Sequence, residues 1–280
     1  MLKITTPEQL FYVIEDGRYL AYWPKNYKGT KTTLQSRNAF VGSFTEKWTK
    51  ELLEKIAEEA GAFTVQSVIC EDIGLSARSP ADIAICKTKQ QDQRPENILM
   101  IIEVKMSIVW NWEYNPSTGE IKSIGDYTTH QGNPGLLRSD TMLKAIGKSI
   151  NIRVSSFKSA KIPIVILGNT PITESYYEKV DHLEKAGIIQ GFYSVNPQPL
   201  NDSTHKDNIK STPNEGFLRF DSYEELRQEL INLLSEEREF FSGMKTKKGL
   251  GKIIEIANRE HNYEKKAEVF LKLLRNKNGK

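Results

Sequence analysis

The chain has 280 residues, of which 38% are hydrophobic and 27% are charged, and its formal net charge is +3. This is the composition of a globular protein that can bury a substantial core, and the charge is too small to argue for nucleic acid by itself. Every apolar run is shorter than the ~18 residues of a membrane-spanning helix, so no such helix is indicated and we expect no membrane association. The N-terminus lacks a signal-peptide pattern, and Cys70 and Cys86 fall in apolar runs. We therefore expect a cytoplasmic protein with two buried free thiols.

The first sixty residues predict two helices separated by a polar loop. Residues 7 to 23 indicate a short helix followed by an aromatic-rich segment, and residues 24 to 38 indicate the loop. Residues 44 to 60 have the spacing of an amphipathic helix. Ser43 and Glu46 have the spacing of a capping box, which would start this helix at Ser43. The predicted apolar stripe of the helix comprises Trp48, Leu52, Leu53, Ile56, Ala57 and Ala60.

Three strand patterns come next, and the last two predict a hairpin. The runs are FTVQSVIC (63–70), ADIAIC (81–86) and ILMIIEVKM (98–106). Both faces of the third run are apolar, so we expect it to lie in the centre of the sheet. A symmetric hairpin loop would be centred between Asp92 and Gln93.

The rest of the chain alternates between helices and strands. Residues 111 to 138 are rich in Gly, Asn, Pro and Thr and predict a long loop, which in a compact chain is often functional. The further predicted elements are a helix at 140–151, a strand at 162–169, a helix at 173–187, a strand at 188–195, a loop or linker at 196–216, and helices at 222–241 and 253–276. This order predicts an α/β fold with a mixed central sheet flanked by helices on both faces, and helical elements added at both ends.

Glu103 and Lys105 interrupt the otherwise apolar third strand. Because side chains alternate along a strand, these two point to the same side, about 6–7 Å apart. The symmetric hairpin places Asp82 directly across from Glu103, where Cβ atoms are about 4.5–5.5 Å apart. Two carboxylates this close repel each other unless a cation lies between them, and Mg²⁺ prefers such oxygen ligands. The alternative is a structural ion pair of Lys105 with Asp82 or Glu103.

The segments SPAD (79–82) and EVK (103–105), about twenty residues apart, resemble the PD-(D/E)xK nuclease signature. The order helix, three strands, helix, strand also resembles the core of that superfamily. One departure is that Ala81 separates the proline from the aspartate. The resemblance covers about residues 40 to 195 and implies a restriction-endonuclease-like core.

The resemblance also implies a chemistry. Asp82, Glu103 and the main-chain carbonyl of Val104 would bind Mg²⁺, and Lys105 would orient or polarise the attacking water during phosphodiester hydrolysis. In many members of the superfamily a glutamate on the first core helix supports the metal site. Glu46 is therefore either a fourth catalytic residue or only a helix cap.

DNA-contacting residue types are concentrated between residues 125 and 149. Gln, Asn and Arg side chains read base edges, and Lys and Ser side chains contact phosphates. The candidates are Gln131, Asn133, Arg138, Ser139, Lys144 and Lys148. The alternative for each is a helix cap or a solvated side chain. Residues 241–280 hold 11 Lys/Arg against 4 Asp/Glu and form either a phosphate-facing surface or a solvated basic helix.

The chain resembles a type II restriction endonuclease in its size and in its lack of helicase or methyltransferase sequences. Residues 1–280 would then form a single nuclease domain with a C-terminal helical extension over about 217–280. Such an enzyme would be a homodimer that cleaves double-stranded DNA, and a cognate DNA methyltransferase would act on the same site. The alternatives are a structure-selective repair or recombination nuclease of the same superfamily, and a DNA-binding protein with an inactive nuclease fold.

Overall fold

The structure is a computed structural model that describes residues 1, 3–31, 35–196, 208–236 and 246–275. The strands among these residues are β1 Tyr12–Val13, β2 Tyr19–Leu20, β3 Phe63–Val68, β4 Ala81–Cys86, β5 Ile98–Lys105, β6 Asn111–Tyr114, β7 Ile121–Gly125, β8 Ile164–Gly168, β9 Gly191–Ser194 and β10 Phe217–Arg219. The α-helices are α1 Pro7–Leu10, α2 Gln35–Glu59, α3 Ser139–Ser155, α4 Tyr177–Lys185, α5 Tyr223–Ser235, α6 Lys247–Ala257 and α7 Tyr263–Arg275.

A mixed six-stranded sheet lies at the centre, in the order β10-β9-β8-β5-β4-β3. Strands β3, β4 and β5 pair antiparallel, whereas β5, β8, β9 and β10 run parallel. The class is therefore α/β. The central position of β5 and the order α2, β3, β4, β5, α3, β8 are both as predicted.

The hairpin of β4 and β5 has the predicted register. Ile83 pairs with Ile102 and Ile85 pairs with Met100. The register shifts only after Ile85, toward the loop, so the shift leaves the opposite end of the hairpin aligned. That aligned end carries the charged residues.

Helices cover both faces of the central sheet. On one face, Leu53 of α2 and Leu230 of α5 pack with Ile102 of β5. On the other face, Ile152 of α3 packs with Ile101 of β5. All are at most 1% exposed, and burying each such side chain stabilises the fold by roughly 1.5–3 kcal/mol. A strand buried on both faces has to be apolar on both faces, which explains the composition of β5.

A second, smaller sheet has the order β1-β2-β6-β7. The prediction of a continuous loop over residues 111–138 is therefore wrong, because β6 and β7 form a hairpin inside it. Tyr19 and Leu20 of β2 pair with Tyr114 and Glu113 of β6, so this sheet joins two parts of the chain more than ninety residues apart. Phe11 also stacks on Tyr114 and helps to hold the two parts together.

Helix α2 begins at Gln35, eight residues before the predicted start at Ser43. Ser43 therefore lies inside the helix, and the predicted capping box is wrong. The extra turns are held by Arg37, which is buried and donates to the carbonyls of Leu10 and Ala21 at 2.7 and 2.8 Å. In the predicted apolar stripe, Leu53, Ile56 and Ala57 are buried, whereas Trp48 is 41% exposed and Ala60 is exposed.

The C-terminal region differs from the prediction in two places. The predicted helix 253–276 is two helices, α6 and α7, separated at residues 258–262. Strand β10 follows the predicted loop 196–216, of which residues 197–207 lie outside the described residues. Both cysteines are buried and free, as predicted. None of the described helices is long and apolar enough to cross a membrane.

Candidate active site

The charged residues meet where the beginning of β4 lies beside the end of β5. Asp82 Oδ2 accepts a hydrogen bond from the main-chain N–H of Val104 at 2.8 Å. The main-chain pairing of the two strands begins one residue further, at Ile83 and Ile102. A side chain thus closes the end of the ladder and fixes the Asp82 carboxylate against β5.

The ammonium group of Lys105 lies among three oxygen atoms. Lys105 Nζ is 3.1 Å from Asp82 Oδ2, 3.2 Å from Glu103 Oε2 and 3.1 Å from the carbonyl oxygen of Val104. These oxygens belong to the three residues predicted to bind Mg²⁺. The fold therefore brings the whole predicted ligand set around one point, which the cation of Lys105 occupies.

A second ammonium group reaches the same carboxylates from α3. Lys148 Nζ is 2.5 Å from Glu103 Oε1, 3.5 Å from Asp82 Oδ1 and 2.5 Å from the carbonyl oxygen of Pro80. From the sequence, Lys148 was expected to contact phosphates or solvent, so its place beside the carboxylates was missed. Ala145, Ser149 and Ile152 of the same helix are buried, so helical periodicity was the available signal for an inward-facing Lys148.

Burial and charge together set the protonation of this cluster. Glu103 is fully buried, and the side chains of Asp82 and Lys105 are 18% and 19% exposed. Burial opposes ionisation of Asp82, but the charges of Lys105 and Lys148 and the hydrogen bonds to Lys105 and Val104 outweigh it and lower its pKa. For Glu103, burial and the charge of Asp82 outweigh the two lysines and raise its pKa. For Lys105, burial is outweighed by the two carboxylates, which raise its pKa and keep it cationic.

Glu46 faces the cluster from α2. It is half-buried, and Glu46 Oε2 accepts a hydrogen bond from Gln66 Nε2 of β3 at 3.1 Å. Burial raises the pKa of Glu46, the hydrogen bond from Gln66 lowers it in part, and the charge of Asp82 raises it further. Helix α2 begins at Gln35, eleven residues before Glu46, so Glu46 does not cap the helix.

A cleft with a volume of about 630 Å³ opens beside Lys105. Its walls come from the small sheet, the first turns of α2, the segment 131–135 and the beginning of α3. Of the six candidates for DNA contact, five line this cleft, namely Gln131, Asn133, Arg138, Ser139 and Lys144. The loop residues and the helix residues that were predicted separately are thus brought to one surface.

These five residues differ in how free they are to bind a ligand. Gln131 Nε2 donates to the carbonyls of Lys25 and Tyr27, both at 3.0 Å, so its amide donor links two segments of the protein. Arg138 and Lys144 are exposed and form ion pairs with Asp140 at 3.7 and 3.0 Å. Arg138 is the N-cap residue of α3, which makes Ser139 the first helical residue and not its cap. Asn133 is exposed.

The oxygen atoms around Lys105 Nζ fit a hard divalent cation. Two carboxylates and one main-chain carbonyl are ligands that Mg²⁺ accepts, with water completing its shell. The part of the chain that the structure describes contains no cluster of three or more His, Cys, Asp or Glu side chains that could hold a metal. A site of two carboxylates and a carbonyl does not need such a cluster.

The chain matches no protein-family model, no curated protein and no solved structure. A function therefore has to be inferred from the site. Its three distinguishing features are two carboxylates that share two lysines, a carbonyl directed at the same point, and a cleft that starts at one of the lysines.

Proposed function

We propose that this protein is a Mg²⁺-dependent nuclease that hydrolyses phosphodiester bonds in DNA. The observation that carries the proposal is the arrangement of Asp82, Glu103 and the Val104 carbonyl around one point, with Lys105 bonded to all three. A purely structural ion pair would need one carboxylate and one lysine. Two carboxylates and a carbonyl directed at the same point supply three oxygen ligands of the kind that a hard divalent cation prefers.

Asp82, Glu103 and the Val104 carbonyl would hold the Mg²⁺ ion. Bound there, Mg²⁺ would activate a water molecule and neutralise charge that develops on the phosphate. Asp82 has a lowered pKa and is ionised at neutral pH, so it is ready to act as a ligand. Lys105 lines the cleft, and its ammonium group would stabilise the phosphate or orient the attacking water. Glu46 would support the metal site from α2.

The architecture agrees with membership of the PD-(D/E)xK superfamily. A helix, an antiparallel three-stranded unit, a second helix and a parallel strand occur in this order, with β6 and β7 of the small sheet inserted before the second helix. The acidic residues Asp82 and Glu103 lie on the second and third strands of the three-stranded unit. We therefore assign the chain a restriction-endonuclease-like fold as part of this proposal.

The cleft supports DNA as the substrate. Arg138 and Lys144 place two exposed cations on its wall, and Asn133 and Ser139 add neutral polar groups. We take the substrate to be double-stranded DNA cut at a specific sequence by a homodimer, as in a type II restriction endonuclease with a cognate methyltransferase. The second candidate is a structure-selective repair nuclease, for which the same cations and the same chemistry would serve.

The test is digestion of phage, plasmid and branched DNA by the purified full chain, with Mg²⁺ and with EDTA. Discrete fragments from linear duplex DNA that require Mg²⁺ would support the sequence-specific enzyme, and their ends would give the site. Cleavage confined to branched DNA would support the structure-selective enzyme. Absence of cleavage of every DNA with Mg²⁺ would contradict the nuclease proposal and favour a DNA-binding protein with an inactive fold.

A further inference from the structure

The candidate site contains two lysines where the proposed reaction uses one. Lys105 reaches one oxygen of each carboxylate, namely Asp82 Oδ2 and Glu103 Oε2. Lys148 reaches the other oxygen of each, namely Asp82 Oδ1 and Glu103 Oε1. Each lysine thus bridges the two carboxylates, and the two lysines use different carboxylate oxygens.

The two lysines differ in their third partner. Lys105 Nζ also donates to the carbonyl of Val104, a proposed metal ligand, and Lys105 lines the cleft. Lys148 Nζ instead donates to the carbonyl of Pro80, which is outside the proposed ligand set. A cation bound by Asp82, Glu103 and Val104 would therefore need the place of the Lys105 ammonium, whereas the bond from Lys148 to Pro80 would be unaffected.

We propose that Lys148 is a positioning residue of the metal site, a fixed counter-charge that holds Asp82 and Glu103 together and lowers the affinity of the site for divalent cations. The inference rests on the proposed function, because it takes the two carboxylates as metal ligands. Two carboxylates this close repel each other, and the cation on α3 removes that repulsion. The same cation repels a divalent ion that binds to those carboxylates.

The inference predicts opposite effects of one substitution on binding and on cleavage. Lys148→Met removes the charge with little change of volume, so we expect the site to bind Mn²⁺ at least about tenfold more tightly than the wild type. Cleavage is expected to fall, because Glu103 loses its partner on α3 and the carboxylates are less well aligned. Simple damage to the site would weaken both. Lys148→Arg keeps the charge and is expected to have an Mn²⁺ affinity close to that of the wild type.

The experiment is a titration of the full chain with Mn²⁺ alone, without DNA. Electron paramagnetic resonance measures the concentration of free Mn²⁺ at each step. The proteins are the wild type, Lys148→Met, Lys148→Arg, Asp82→Asn and Lys158→Met. The last is a matched control, because Lys158 is also paired with an aspartate, Asp72, and shares no contact with the site. Asp82→Asn tests the proposed function separately, since it should abolish binding.

The outcomes separate the two proposals. No Mn²⁺ binding by the wild type, or unchanged binding by Asp82→Asn, would contradict the proposed function. Binding that needs Asp82 but has the same or lower affinity in Lys148→Met would overturn only the role of Lys148. If Lys148→Met is destabilised without metal, its melting temperature is measured at increasing Mn²⁺ concentrations and compared with that of the wild type. A larger Mn²⁺-induced rise than in the wild type supports the inference, whereas a chain that stays unfolded at saturating Mn²⁺ overturns it.

Discussion

Asp82 accepts the main-chain N–H of Val104 through the same oxygen, Oδ2, that pairs with Lys105. One atom therefore both ends the β4–β5 ladder and belongs to the candidate metal site. The structural role and the chemical role of Asp82 are separable, because an asparagine can still accept the hydrogen bond of Val104 but carries no charge.

Asp82→Ala and Asp82→Asn are predicted to differ in stability and to agree in activity. Alanine leaves the Val104 N–H unpaired and should cost about 1–3 kcal/mol in the free energy of unfolding, and asparagine should cost less. Both should reduce Mg²⁺-dependent cleavage by about 10²-fold or more, because a metal ligand is lost. Urea unfolding and single-turnover cleavage measure the two effects. Asp72→Asn is the control, and equal stability of the alanine and asparagine variants would contradict the separation.

A glycine links the cleft wall to strand β5, which carries Lys105. Gly135 has φ of +52°, and a Cβ there would lie 2.9 Å from Thr170 Oγ1 and 3.1 Å from the carbonyl oxygen of Lys105. Gly132, in the same segment, has φ of +83° with open space around the Cβ position. Both substitutions by alanine should cost about 1 kcal/mol of backbone strain.

Gly135→Ala is predicted to lose more stability than Gly132→Ala, because its Cβ would overlap with Thr170 Oγ1 and lie in tight contact with the Lys105 carbonyl of β5. We expect a further loss of about 1–3 kcal/mol, as for other overpacked sites. Thermal and urea unfolding of the two variants provide the comparison. Equal losses would show that residue 135 does not press on the strand that carries Lys105.

Arg138 and Lys144 are predicted to contribute to DNA affinity through phosphates. Replacing either by glutamine should weaken binding to all DNA sequences and lower the slope of log K against log salt by about 1. The measurement is fluorescence anisotropy with a labelled duplex over a range of salt, with Ca²⁺ in place of Mg²⁺. Lys179→Gln, on α4, is the control. An unchanged slope of log K against log salt in both variants would show that this wall of the cleft does not contact DNA.

The stability of the protein at acid pH is predicted to depend on Asp181, which is not part of the candidate metal site. Its carboxylate is buried and accepts hydrogen bonds from Thr212, Asn214 and Gly216. Burial alone would raise the pKa of Asp181, but these hydrogen bonds outweigh it and lower the pKa from its ordinary value of 3.8. The ionised form is thus favoured by folding.

The contribution of Asp181 is therefore complete above its ordinary pKa and is lost as the pH falls through the lower pKa of the folded state. Asp181→Asn should lose about 1–3 kcal/mol at pH 7, and the gap to the wild type should narrow below pH ~4. Urea unfolding at a series of pH values measures this. A gap that stays constant down to pH ~2 would contradict the assignment.

The carboxylate pair was predictable because it depends on local rules. The symmetric loop gave the register of Ile83 with Ile102, and alternation along β5 put Glu103 and Lys105 on one side. The position of Lys148 was harder to predict, because a lysine on an amphipathic helix is usually solvated. Only the tertiary structure shows that this lysine points at two carboxylates.

The small sheet and the start of α2 could not be predicted from local patterns. Strands β1 and β2 have two residues each, and β6, which pairs with β2, is more than ninety residues away, so no run of the sequence shows the pairing. Helix α2 extends to Gln35 because Arg37 finds carbonyl partners at Leu10 and Ala21, which only the tertiary structure provides. Ser43 and Glu46 had the spacing of a cap without its function.

The assignment of Lys105 to the active site is tested by comparing the wild type with Lys105→Ala, using Mg²⁺ for cleavage and Ca²⁺ for DNA binding. Lys105→Ala is predicted to keep its fold and to bind duplex DNA like the wild type but to cleave it about 10²–10³-fold more slowly. Lys158→Ala, the matched surface variant, should cleave normally. Unchanged cleavage by Lys105→Ala would contradict the assignment of this site as the active site.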